Sequence, residues 1–162
     1  MLDTIYALAW QGKYQAAIEQ TNRARDIDPA FFAPPFIIGW IDIQAGKLSD
    51  AIPELQKANA MSSPPWVAAH LGYAYGASGG RVKASAMIEE LTHRSLHGYV
   101  APFNLAIVHL GMGDRERALD YLEQAYAARS QWLVILKMDR IFDPLRSEPR
   151  FIALMKKLNF ER

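Results

Sequence analysis

The first side chains to weigh for chemistry in this 162-residue chain are its four histidines. His93 and His97 lie one helical turn apart, with Glu89 and Glu90 upstream, the spacing at which two ring nitrogens could meet one divalent cation. No glutamate-flanked double-histidine motif accompanies them, and Gly98 and Pro102 end the helix there, so the pair reads as a solvated helix end. His70 and His109 lie among apolar residues, the setting of core or groove histidines more than of acid–base catalysts. The run Gly76-Ala77-Ser78-Gly79-Gly80 follows a helical stretch and lacks the Lys-Ser/Thr ending of a phosphate loop, so it reads as a flexible hairpin turn. Gly-x-Ser-x-Gly is missing. With no cysteine, disulfides, thiolate zinc sites and thiol nucleophiles are excluded. The reading is a non-enzyme with no cofactor and no metal.

Composition narrows the partners. The chain is 51% hydrophobic and 22% charged, which excludes a disordered tail and suits one domain with a sizeable core. Eighteen basic against 17 acidic side chains give a net charge of +1, too weak a field to attract nucleic acid or an anionic membrane directly. Met1-Leu2-Asp3-Thr4 is no secretory n-region, and no apolar run approaches the ~20 residues that span a bilayer. The expectation is a soluble, cytoplasmic protein.

The elements that position these residues repeat. GKYQAAI from Gly12, GKLSDAI from Gly46, GGRVKAS from Gly79 and GDRERAL from Gly113 share one design, with glycines 34, 33 and 34 residues apart. Five residues after each glycine comes an alanine: Ala17, Ala51, Ala84 and Ala118. Twelve after each come Ala24, Ala58, Leu91 and Ala125. Apolar residues around these anchors recur at helical spacing, as in Ala118, Leu119, Leu122, Ala125 and Tyr126. Each unit is therefore two helices joined by a glycine turn, where glycine accepts the left-handed conformation that ends the first helix. The alanine admits close approach of the second. Asp28-Pro29 and Ser63-Pro64-Pro65 punctuate the units, because proline stops a preceding helix. One hairpin cannot cover its own apolar face, so several must stack.

This pattern resembles the tetratricopeptide repeat. The period, Trp10-Gln11-Gly12-Lys13-Tyr14, the Ala17-Ile18 pair and Asp28-Pro29 carry the likeness, over roughly residues 1–130. Residues 98–151 are further similar to the closing segment of tetratricopeptide regions at the C-termini of bacterial signalling proteins, among them winged-helix regulators, class III adenylate cyclases and serine/threonine kinases. The resemblance implies an all-α, right-handed α-solenoid of about four helix-turn-helix repeats, residues 1–130, with capping helices in 131–162 of the same domain. Thr21 and Arg81 depart from it where a large apolar side chain is usual, as do Asp42 and His109 where tyrosine is common. Pro53 predicts that its helix starts late or bends.

The two ends differ in expectation. The first unit lacks about three residues of its first helix by the repeat frame, so Leu2, Ile5, Tyr6 and Leu8 face an uncapped end and the chain reads as a fragment of a longer protein. At the other end, Ser130 is placed to cap a short helix over 131–138, and a last helix over 147–158 starts at Pro149; together they form a lid on the fourth unit.

Charge then locates the surface of interest. In the first helices, over 4–11, 34–45, 65–77 and 101–111, Asp42 is the one acidic residue and there is no lysine or arginine. The family exposes first-helix positions to its inner groove, and carrying these over implies a partner-binding wall of Tyr6, Trp10, Phe36, Ile37, Trp40, Trp66, His70, Tyr73, Phe103, Asn104 and Ile107. Groove or core is an even choice for each residue alone, and the set favours a groove. The function expected is a protein–protein interaction module that takes a peptide or helix against aromatic anchors, in a bacterial signalling protein. Self-association through the uncapped first repeat, as a homo-oligomer or scaffold, is the alternative. A small-molecule sensor would require an enclosed pocket. Only Asn104 offers a donor for a terminal carboxylate, which disfavours chaperone-tail capture.

Overall fold

The computed structural model describes residues 2–28 and 31–160, with the side chains from residue 3 onward. All elements among these residues are helical: α1 (Leu2–Trp10), α2 (Tyr14–Ile27), α3 (Ala33–Gln44), α4 (Leu48–Met61), α5 (Pro65–Ala77), α6 (Arg81–Ser95), α7 (Pro102–Gly111), α8 (Arg115–Ala127), two 3-10 turns at Gln131–Ile135 and Arg140–Leu145, and α9 (Pro149–Lys157). Helices pack in chain order as hairpins, α1 on α2 through α7 on α8, and each hairpin lies against the next.

The turns follow the repeat. Gly12, Gly46, Gly79 and Gly113 all have φ between 74° and 87°. Open space surrounds the place where each Cβ would stand, so it is the left-handed backbone and not crowding that requires glycine. Ala17, Ala51, Ala84 and Ala118 are fully buried at the hairpin contacts. Proline occupies the first turn of α3, α5, α7 and α9, where its missing N–H has no helical partner to lose.

First and second helices carry unequal loads. Every residue of α3 from Pro34 to Gln44 is buried, and so is α7 from Phe103 to Gly111. On α4 only Ala51, Leu55 and Ala58 are buried. The reason is position: α3 touches α2, α4, α5 and the second 3-10 turn, and α7 touches α5, α6, α8 and the same turn.

Several expectations change here. Gly76 belongs to α5 and not to a turn: a Cβ on it would meet the Gly111 carbonyl carbon at 2.7 Å, and one on Gly111 would meet the Tyr73 carbonyl oxygen at 2.5 Å, so these two glycines let α5 and α7 cross backbone to backbone. α4 begins at Leu48, five residues ahead of Pro53, so it does not start late. Thr21 fills its apolar position by donating its hydroxyl to the Ala17 carbonyl at 2.8 Å, fully buried. Asp42 is buried as well, and desolvation, with Asp50 adding to it, pushes its carboxyl up to about 6. His109 stacks on Tyr121, and burial lowers its pKa although the Asp114 carboxylate stands 3.4 Å from Nδ1. Ile5, expected on an uncovered face, is fully buried.

The largest change concerns the C-terminal part. Residues 131–145 do not sit on the fourth unit alone; they return across the hairpins to α3. Asp139 accepts from Trp40 Nε1 at 3.0 Å and from Gln44 Nε2 at 2.6 Å, and the Arg140 amide donates to Gln44 Oε1 at 3.0 Å. Ser130 makes no side-chain cap; Asp139 makes one, accepting from the Ile141 amide. The helix expected over 131–138 is a 3-10 turn ending at Ile135. α9 and the first 3-10 turn both lie on α8, with Phe151 and Leu154 of α9 buried.

Candidate ligand cavity

The inner helices bring their rings to one place by a simple register. Tyr6 and Trp10, Phe36 and Trp40, and Trp66 and His70 are pairs one helical turn apart, so each pair stands on a single helix face. Stacking the hairpins aligns the faces. Tyr6 meets Trp40 edge-on with ring centres 5.2 Å apart, and Trp10 meets Trp40 at 6.2 Å. Phe36 meets Trp66 at 4.4 Å and His70 at 5.2 Å.

These rings, with Phe103, Asn104 and Ile107 from α7, line a cavity of about 390 Å³. Trp132, Ile135 and Asp139 of the returning segment complete its wall. The cavity thus takes nine of the residues expected on the inner wall. Most are deep: Phe36, Trp40, His70, Phe103, Asn104 and Ile107 are all buried, while Trp10 and Trp132 remain 38% exposed and mark where it opens. What the repeat pattern presents as an open trough is narrowed by the protein's own chain, which supplies part of the wall.

Two expected residues lie elsewhere. Ile37 is the neighbour of Phe36, and a step of about 100° around the helix turns it to the other side; it lines a separate cavity of about 230 Å³ with Ile5, Thr21 and Phe31. Tyr73 stands in the repeat frame where Trp40 stands, but it faces a third cavity of about 180 Å³ with Gln44, Arg140, Ile141 and Asp143. The segment separates the two spaces, giving Asp139 to one and Arg140 to the other.

The polar groups at the large cavity share one character. A carbonyl oxygen can only accept, so the 2.7 Å contact of His70 Nδ1 with the Trp66 carbonyl places the proton on Nδ1 and leaves a lone pair on Nε2. Burial lowers the His70 pKa and holds the ring neutral. Asn104 Oδ1 is buried with no hydrogen-bond partner. Asp139 is 1% exposed and receives three neutral donors, Trp40 Nε1, Gln44 Nε2 and the Ile141 amide, but no ion pair among the described residues. Its charge is felt nearby: with burial leading, it helps push the Tyr73 phenol up to about 12. Among the described residues no lysine or arginine lines the cavity; the Arg140 guanidinium is turned to Tyr14 Oη and the Gln44 carbonyl.

Elsewhere little is arranged for chemistry. His93 and His97 are exposed at the end of α6 with ring centres 5.1 Å apart, and no group of three or more metal-binding side chains is assembled among the described residues. No helix there is long and apolar enough to cross a membrane. Sequence reasoning missed Trp132, Ile135 and Asp139 as site residues. Trp132 and Ile135 gave an apolar signal that fitted a cap equally well, and Asp139 gave none. The chain matches no family model, no curated protein and no solved structure.

Proposed function

We propose that the chain is a non-catalytic binding module of the tetratricopeptide type, a right-handed α-solenoid whose inner wall and returning segment together hold one small, largely apolar molecule. The observation that carries this reading is the convergence of all four tryptophans of the chain on one cavity. Its volume of about 390 Å³ falls in the range of small-molecule sites, roughly 300–1,000 Å³. A helix of diameter ~10 Å does not fit such a space. Binding would draw on apolar burial, about 25 cal/mol per Å² removed from water. The resemblance of residues 98–151 to the ends of bacterial signalling proteins supports a cytoplasmic regulatory role for that binding.

Calorimetric titration with 1-octanol and with charged probes of the same length tests it: saturable one-to-one binding of any of them that disappears in Asn104→Phe, which fills the cavity, supports the reading, and no saturable binding of any rejects it.

A partner polypeptide on the same wall is the second reading, supported by the fact that residues 131–145 already lie there as a seated peptide, held at Trp40 and Gln44. A synthetic peptide of those residues should bind an Asp139→Ala protein, whose own segment is unlatched. Failure to bind retires this reading.

A further inference from the structure

We propose that the preferred guest of the large cavity is an organic cation, an alkylammonium or quaternary ammonium group on an apolar body. The inference rests on the small-molecule reading above and names the charge of the ligand. Three independent features of the wall point the same way. Aromatic rings from five elements surround one space, and a ring face is the negative pole of its quadrupole. Of the neutral polar groups, His70 keeps a lone pair on Nε2, while Asn104 brings an amide with both an acceptor and a donor. The one carboxyl side chain of the wall among the described residues, Asp139, is buried and hydrogen-bonded by neutral donors alone.

A carboxylate has about four lone-pair sites, and three of those on Asp139 are taken. Each of these donors is a dipole and not a charge, so none of them forms an ion pair with the carboxyl group. Among the described residues no lysine or arginine lines the cavity to pair with it from within. An anionic guest would meet a carboxylate and electron-rich ring faces. A neutral alkane would fill the space and leave the field unused. A weakly hydrated cation loses little on leaving water and gains from every wall group, and desolvation strengthens its contact with the rings.

Calorimetry on the full chain with three probes of similar length separates the cases: hexyltrimethylammonium, 1-octanol and octanoate. The expected order is cation, then neutral, then anion, with the cation bound about tenfold or more tighter than octanol. Octanol binding as tightly as the cation overturns this inference and leaves the small-molecule reading standing; no binding by any probe overturns both. Asp139→Asn should erase the gap between cation and octanol. Because that change touches a buried network, Trp132→Leu and Trp10→Leu, at half-open positions, provide the second test: circular dichroism should be unchanged, and hexyltrimethylammonium should lose about fivefold while octanol loses less. Equal losses for the two probes would count against a cation site.

Discussion

Two polar clasps hold the C-terminal part of this protein to its helices, and they are built on opposite principles. The inner clasp centres on the buried Asp139 carboxylate, ringed by the neutral donors of Trp40, Gln44 and Ile141. The outer clasp centres on Arg150 of α9, which reaches Glu116, Asp120 and Glu123 on α8 at 3.1, 2.7 and 2.9 Å in water-exposed surroundings. One charge among dipoles in a dry site cannot be screened, and it leaves costly orphans when removed. Four charges at the surface form more contacts and matter less, because water and salt already answer them. Counting bonds would rank the two the wrong way round.

The contrast can be broken at its strong end first. Asp139→Ala strands two side-chain donors and one amide in the interior, and should lower unfolding stability by about 3 kcal/mol or more in a urea titration. A loss no greater than that of an exposed ion pair would dissolve the distinction. Trp40→Phe removes the Nε1–H donor and part of the buried indole, so the expected loss is about 2 kcal/mol, a lost hydrogen bond plus the space left behind, and it should stay below that of Asp139→Ala. Arg150→Ala should cost about 1 kcal/mol or less in dilute buffer and nothing measurable in molar salt. Asp139→Ala should cost the same in both.

The smallest effect is one of pH. The Arg150 hydrogen bond holds Glu123 below its ordinary value of 4.5. A depressed carboxyl stabilises the folded state above its unfolded pKa, and that contribution is lost as pH falls below 4.5 through the folded value. The acid limb of the stability curve should therefore flatten slightly in Arg150→Ala, and an unchanged limb would show that the outer clasp does not couple to folding.

Local rules made much of this arrangement legible. Gly12, Gly46, Gly79 and Gly113 announce four turns because a left-handed residue is a local demand that glycine meets at no cost. The pairs Tyr6/Trp10 and Phe36/Trp40 could be placed on one face because helical geometry fixes what lies one turn apart. Asp139 could not be found this way. Its partners Trp40 and Gln44 are 99 and 95 residues distant, outside any repeat, and no periodicity encodes where a non-repeating tail will lie. Tyr73 shows the same limit from the other side. Its position in the repeat frame matches that of Trp40, but the returning tail, with no counterpart in the frame, puts it in a different space. Gly76 was misplaced because a glycine serving close helix contact looks, in sequence, like one serving a turn.

All four indole rings of the chain border a single space, two of them half open and one, Trp40, almost sealed. The tryptophan emission of this protein, selectively excited, is therefore a local spectrometer: whatever enters that space changes the polarity around every indole at once. Occupancy can be followed without attaching a label.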